Sequence, residues 1–165
     1  MKLRRLYAHA RNEPGQAVVE MALVLPILML VILGIMKFGI LYNNYLQLTD
    51  AVRSGARQYA VERSQATPCI DSAQAIVNAA GGLGTNNITG SISEEGLSWQ
   101  FSVSGATPSQ TGTTNCAGTQ TNGAVYPSSG DAATVSASYP CDLNIFGISI
   151  APGCRLTASA TERVE

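Results

Sequence analysis

Residues 15–42 read GQAVVEMALVLPILMLVILGIMKFGILY, and this stretch decides the fold. Residues 21–36 carry no charge, and the apolar character extends over residues 17–42 apart from Glu20 and Lys37. At a rise of about 1.5 Å per residue, about 20 helical residues cross the hydrocarbon core of a bilayer. The stretch therefore predicts a transmembrane helix over about residues 17–42.

A cleaved secretory signal peptide is the alternative interpretation of this segment. Such a peptide has a shorter apolar region with a small-x-small cleavage site directly after it, whereas MKFGILYNNY follows here. This mismatch favours a retained anchor. Within the anchor, Pro26 has no N–H to donate to the preceding turn, so we expect a local kink of the helix at that position.

Charge is distributed unevenly along the chain. The basic residues Lys2, Arg4, Arg5 and Arg11 precede the apolar segment, with only Glu13 to oppose them. By the positive-inside bias, the N-terminus then lies in the cytoplasm and the domain that follows lies outside. The net charge of -1 provides no basic field for neutralising phosphates, so we expect no nucleic-acid partner.

Two residues at the entrance of the apolar segment are candidate site residues. Glu20 stands five positions after Gly15. An ionisable group in a membrane segment costs about 2.5–3.5 kcal/mol at the bilayer centre and less near the boundary, so its presence indicates a function. The alternative is that the Glu20 side chain only extends to the lipid–water boundary.

The order of basic leader, glycine, four residues, glutamate and apolar helix resembles the prepilin signature of type IV pilins and pseudopilins. The longer run is similar to the TadE-like family of the tight-adherence (Tad or Flp) pilus. Three features carry this resemblance: EMALVLP at residues 20–26, the Phe38-Gly39 step, and LTDAVRSGAR at residues 48–57. The ending, residues 133–165, also resembles that family. Met21 stands where major Flp pilins commonly carry tyrosine, which favours a minor subunit.

The resemblance implies a processing site and an assembly residue. In type IV pilins a membrane-embedded prepilin peptidase cuts after the glycine, which here places cleavage between Gly15 and Gln16 and makes residues 1–15 a discarded leader. The new α-ammonium group of Gln16 could then pair, at low dielectric, with the Glu20 carboxylate of a neighbouring helix. Such pairing would fix the axial register of one subunit against the next.

The implied function is that of a minor pilin or pseudopilin that contributes to pilus assembly, secretion or surface adhesion. Its expected partners are the membrane, the prepilin peptidase, other pilin subunits, the pilus assembly machinery and a surface or host ligand. The expected location is the bacterial inner (cytoplasmic) membrane, and then the pilus or cell surface. The alternative is an unprocessed single-pass anchor that carries an extracellular binding domain.

After residue 42 the apolar pattern changes from continuous to periodic. Apolar residues recur at three- and four-residue steps, the pattern of one buried helix face. They are Leu41, Tyr45, Leu48, Val52, Ala56, Tyr59 and Ala60. We therefore expect one long helix over residues 16–63 whose second half packs on the external domain. Ala51 and Gly55 favour ordinary core packing there, with a close helix–helix contact as the alternative.

Residues 64–165 predict an α+β domain, and the resemblance makes it type IV pilin-like, with the long helix packed on a small antiparallel sheet. We expect a short helix from an N-cap at Asp71 to Ala80. Alternating apolar residues predict three or four short strands. These lie around residues 88–92, 97–103, 135–139 and 156–160. Residues 104–131 are almost entirely polar and predict a surface loop, either a contact surface or a poorly ordered spacer.

The four cysteines all follow the anchor, which indicates disulfides in an oxidising compartment. Of the three possible pairings, we favour Cys141 with Cys154, which flank LNIFGISIAPG, and Cys69 with Cys116, which would hold the polar loop. Each bridge is worth on the order of 2–4 kcal/mol. A zinc site is the alternative, but no C-x-x-C occurs and the single histidine, His9, lies in the leader. We expect no metal and no cofactor.

The sequence does not suggest an enzyme. No G-x-S-x-G, P-loop or metal-ligand motif occurs in it. Glu94 and Glu95 are adjacent, so on a strand they would point to opposite faces instead of forming a paired acid/base site. We therefore expect no catalytic activity.

Overall fold

The computed structural model describes residues 15–62, 65–84, 87–112, 116, 118–119, 125–145 and 147–165. The predicted leader therefore lies outside the described residues except for Gly15, as do residues 113–115, 117 and 120–124 of the predicted polar loop. The described chain forms two compact units, divided between Gly39 and Ile40. One helix, α1 (Gln16–Val61), passes from the first unit into the second.

The first half of α1 exposes its apolar side chains on all sides. Its large apolar residues from Val18 to Tyr42 are about half exposed or more, with Leu33 and Leu41 half-buried. This part of the chain is long and apolar enough to cross a membrane, as expected from its sequence. Pro26 lies inside α1, which continues through it, and the kink expected there remains a prediction.

The second half of α1 buries one face. Leu48, Val52, Ala56 and Tyr59 are fully buried, as their spacing predicts. Tyr45 was predicted on the same face but is exposed, because the domain covers α1 only from about one turn later. The boundary between the exposed and buried parts thus lies slightly further along the chain than the periodicity indicates.

Helix α2 (Pro68–Ala79) follows a short connection and packs against α1. The prediction of Asp71 as its N-cap is wrong, because Thr67 occupies the cap position and Pro68 begins the helix. Proline suits a first helical position because its missing N–H would have no helical partner there. Asp71 instead lies in the first turn, where its Oδ2 accepts a hydrogen bond from the Thr67 hydroxyl at 2.7 Å.

The two helices approach closely at one glycine. Ser72 Oγ donates a hydrogen bond to the Gly55 carbonyl at 2.8 Å. A Cβ atom on Gly55 would collide with the Ile76 side chain. Both interpretations of Gly55 therefore hold, because the residue is buried in the core and makes a close helix–helix contact inside one chain.

The sheet contains five antiparallel strands in the order β3-β2-β1-β6-β9. They are β1 (Thr89–Glu94), β2 (Leu97–Ser104), β3 (Thr107–Gln110), β6 (Ala132–Pro140) and β9 (Arg155–Arg163). Two small ribbons lie outside this sheet, β4 (Gly118–Thr119) with β5 (Val125–Tyr126), and β7 (Asn144–Ile145) with β8 (Ile148–Ser149).

The prediction of residues 104–131 as one loop is wrong where β3, β4 and β5 occur. Strand β3 reads TPSQ and is an edge strand whose side chains are mostly exposed. Because it buries little on either face, it lacks the apolar alternation by which strands are recognised. The main sheet therefore has five strands instead of the expected three or four.

One face of the sheet forms the core with α1 and α2. Its largest buried side chains include Ile92, Trp99, Phe101 and Val135. The rings of Trp99 and Phe101 stack with centroids 5.6 Å apart. The fold is the predicted α+β, pilin-like arrangement of a long N-terminal helix on an antiparallel sheet.

Two disulfides staple this domain, and their pairing is the one favoured from the sequence. Cys69, in the first turn of α2, is joined to Cys116, and Cys141 is joined to Cys154. The first bridge closes a separation of 47 residues and holds the polar segment against α2. The second closes 13 residues at the end of β6.

Candidate functional site

Gly15 lies directly before α1 and acts as its first acceptor. Its carbonyl oxygen accepts a hydrogen bond from the Val19 N–H at 3.1 Å. The Gly15–Gln16 peptide bond is therefore the junction between the helix and the preceding chain. The first N–H groups of a helix have no intrahelical acceptor, so this junction presents unpaired donors to any partner.

The described fold gives no reason for a glycine at position 15. A Cβ atom built on Gly15 meets nothing within 4 Å. By contrast, a Cβ on Gly90 would collide with the Ser136 carbonyl and with the ring of Phe101. Gly90 is thus required by packing inside the chain, whereas Gly15 is not.

Glu20 lies in the second turn of α1 with its side chain exposed. Across the parts of the chain that the structure describes, its carboxylate makes no hydrogen bond or ion pair. An unpaired carboxylate in lipid is costly, so any compensating charge has to come from outside the described chain.

The predicted site residues thus fall into separate places. Gly15 directly precedes α1, Gln16 and Glu20 lie in its first two turns, and Pro26 lies farther along the same helix. The four cysteines lie in the second unit.

The sequence did not lead us to predict a buried carboxylate in the sheet. Glu94 ends β1 and is only 6% exposed. Its Oε2 accepts a hydrogen bond from the Tyr59 hydroxyl at 2.6 Å, and its Oε1 accepts one from the Ser128 N–H at 2.7 Å. The signal was present in the sequence, because Glu94 continues the inward alternation that includes Ile92. Glu95 is exposed, so the two carboxylates do not form a pair.

A second buried carboxylate, Glu62, lies just after the end of α1. Burial raises the pKa of its carboxyl group, the side-chain hydrogen bond from Gln58 lowers it, and the charge of Asp71 raises it further. Among the described residues, none forms a hydrogen bond with Glu62 Oε2. The ionised form of this side chain is therefore disfavoured at the junction between α1 and α2.

The outer face of the sheet is a surface of small hydroxyl side chains. It holds a groove of about 390 Å³. The polar residues that line the groove are Thr89, Ser91, Gln100, Ser102, Thr111, Ser136, Ser138 and Thr157. Ser91 and Ser136 are hydrogen-bonded across the strands at 2.9 Å, and the Arg155 guanidinium donates to both Thr89 and Ser138. Many of these hydroxyls are thus already paired with one another.

Comparison with known proteins bears on the first part of the chain. A family model described as TadE-like protein matches residues 15–57, which include the whole Gly15–Glu20 region and the start of the buried face of α1. No curated protein and no solved structure matches the chain. Residues 15–57 are therefore a TadE-like segment, and the resemblance to the TadE-like family of the Tad pilus that the sequence predicts is confirmed over that length.

Proposed function

We propose that this chain is a minor pilin or pseudopilin of a Tad-type pilus and that it acts as a structural subunit without catalytic activity. In this proposal the first half of α1 crosses the cytoplasmic membrane with its N-terminus inside, and the disulfide-stapled domain lies outside. A prepilin peptidase cuts between Gly15 and Gln16. The processed subunit then joins the pilus, where it contributes to assembly, secretion or adhesion.

The observation that carries this proposal is the glycine that the fold does not need. A side chain at position 15 would meet open space in the described structure. The residue also lies at the junction where the helix begins. A requirement for glycine there would come from an enzyme that has to approach the backbone closely, and a prepilin peptidase is such an enzyme.

In this proposal Glu20 acts after the leader has been cleaved. Cleavage would leave an α-ammonium group at the N-terminus of α1, the end at which the helix dipole already places partial positive charge. A carboxylate from a neighbouring helix would stabilise that ammonium. If Glu20 of one subunit lies level with Gln16 of the next, the helices are staggered by about 6 Å, the rise of four helical residues.

The mass of the protein purified from membranes tests the cleavage. In cells with the peptidase and the pilus machinery, we expect the wild-type chain to begin at Gln16. Gly15→Ala, or the bulkier Gly15→Val, should retain the leader. Gly34→Ala is a matched control, because Gly34 also lies in α1 and a Cβ there meets open space. A wild-type chain that keeps its leader in a strain with an active peptidase would refute the proposal.

A second candidate function is an unprocessed, membrane-anchored binding domain. The groove on the outer face of the sheet favours it, because hydroxyl-lined grooves can exchange hydrogen bonds with polar ligands such as carbohydrates. This candidate predicts an intact leader and no effect of Glu20→Ala. The same mass measurement therefore discriminates between the two functions.

A further inference from the structure

Residues 141–154 form an apolar arm that extends beyond the main sheet. The Cys141 N–H donates to the Cys154 carbonyl at 3.1 Å, and β7 pairs with β8 farther along. Ile148 and Ile150 are 70% and 63% exposed. Residues 143–151 contain no charged side chain. An exposed apolar segment held in place by a disulfide indicates a contact surface, because a soluble loop rarely keeps such residues in water.

The contacts of α1 define the two ends of the sheet, and at one end the sheet meets the end of α1. The Tyr59 hydroxyl donates to Glu94, the last residue of β1. The Glu165 N–H donates to the Ala60 carbonyl at 3.2 Å, just after β9 ends. This end of the sheet thus lies beside the last turns of α1.

The arm leaves the sheet at the opposite end. A Cβ on Gly82 would collide with the side chain of Gln47, and a Cβ on Gly84 would lie 3.4 Å from the Tyr139 hydroxyl. Tyr139 is the next-to-last residue of β6, two positions before the arm begins at Cys141. The arm therefore starts at the end of the sheet where residues 82–84 pack beside Gln47, about two helical turns after Ile40, the first residue of the second unit.

The arm is longer than the part of α1 that precedes Gln47 in this unit. Residues 141–145 extend about 16 Å at about 3.3 Å per strand residue. Between Ile40 and Gln47 the helix rises only about 10 Å. Tyr42 and Tyr45 are exposed in this part of α1. Exposed tyrosines at the end of an apolar helix are typical of the boundary between lipid and water.

We propose that the apolar arm is a second membrane-contact element, which inserts Ile148 and Ile150 into the boundary of the lipid leaflet from which α1 emerges. The lipid surface is the occupant because α1 is long and apolar enough to cross a membrane, and its exposed Tyr42 and Tyr45 precede Gln47 within the same unit as the arm. The absence of charge in residues 143–151 agrees with insertion. This inference depends on α1 as the membrane anchor, but not on cleavage or incorporation into a pilus.

Depth-dependent quenching of tryptophan fluorescence tests the arm in the full-length protein. The protein is reconstituted in phosphatidylcholine vesicles whose acyl chains are brominated close to the headgroup. We expect Ile148→Trp emission to fall about twofold relative to unbrominated vesicles, as for a residue about 5–10 Å into the headgroup boundary. The native Trp99 is buried in the core and serves as the background signal.

Two control variants are needed to interpret the quenching of tryptophan fluorescence. Ser129→Trp places the probe on an exposed turn before β6, at the far end of the sheet, and should show no bromine quenching. Ile150→Trp repeats the measurement in the arm if Ile148→Trp fails to form its disulfides, which mobility on a non-reducing gel reports.

Unquenched emission from both arm variants would overturn the inference. Emission that shifts to the blue with increasing protein density, without bromine quenching, would show that a second copy covers the arm, and would overturn it as well. Loss of the wild-type protein from vesicles on carbonate extraction would refute α1 as the anchor. That outcome is separate from the cleavage test, which is measured by mass.

Discussion

The two halves of α1 belong to one continuous helix, yet their side chains have different surroundings. In the first half the apolar side chains face every direction and none of them packs into the core. In the second half a single face is buried against α2 and the sheet. The comparison teaches that residue identities in the first half are explained by what lies outside the chain, and those in the second half by contacts within it.

The glycines make the same distinction. Gly34 and Gly39, in the first half, would each accept a Cβ into open space. Gly55, in the second half, would not, because Ile76 and the Ser72 carbonyl occupy that space. A substitution of the same type should therefore affect assembly in the first half and stability in the second.

The largest effect is expected for Glu20→Ala. This change should leave membrane insertion and domain stability intact but reduce incorporation of the subunit into pili to near background, because the α-ammonium of the neighbouring helix would lose its carboxylate. The measurement compares the subunit in sheared pili with that in membranes. Asp50→Ala is the control on the same helix, because the exposed Asp50–Arg53 ion pair contributes little. Equal incorporation of both variants would contradict the assigned role of Glu20.

A smaller effect is expected for Gly55→Val. The added side chain collides with Ile76 at the α1–α2 contact, and overpacking of this kind typically costs about 1–3 kcal/mol. Chemical unfolding of the domain in the detergent-solubilised protein, followed by the fluorescence of Trp99, measures this cost. Gly34→Val should leave the unfolding curve unchanged. If the two variants unfold alike, the contrast between the halves is wrong.

The smallest effect concerns Glu62, where the second half of α1 ends. Burial raises the pKa of Glu62 above its ordinary value of 4.5, so the folded state binds a proton more tightly than the unfolded chain does. This contribution to stability is complete below about pH 4.5 and is lost as the pH rises through the raised pKa of the folded state. The Glu62→Gln variant should not show this loss of stability with rising pH. The measurement is the unfolding curve of the variant and of the wild type from pH 4 to pH 7. If the stability of both proteins changed with pH in the same way, the role assigned to Glu62 would be wrong.

The sequence was sufficient to predict the elements that several residues indicate together. The continuous apolar run, the face formed by Leu48, Val52 and Ala56, and the alternation in β2 and β6 each rest on several residues with the same tendency. Both cysteine pairs are the ones favoured from the sequence among three possible pairings. The candidate site at Gly15 and Glu20 remains a prediction, which rests on an ionisable residue at the edge of an apolar segment and on the resemblance to the prepilin signature.

Elements that rest on single or polar residues could not be predicted in the same way. Strand β3 has no apolar alternation because it lies at the sheet edge. Glu94 is buried because of two partners distant in sequence, Tyr59 and Ser128, and no local pattern brings these together. The approach of Gly82 to Gln47 and of Gly84 to Tyr139, near the start of the arm, likewise depends on tertiary contacts alone.

The order in which the sheet is completed follows from β9. This strand pairs with β6 over its whole length, and Val164, directly after it, is buried in the core. During synthesis β6 therefore has only β1 as a strand neighbour until residues 155–164 follow. Because Cys154 directly precedes β9, the partner of Cys141 becomes available at the same stage, so the second disulfide and the last strand of the sheet can both form only when synthesis of the chain is nearly complete.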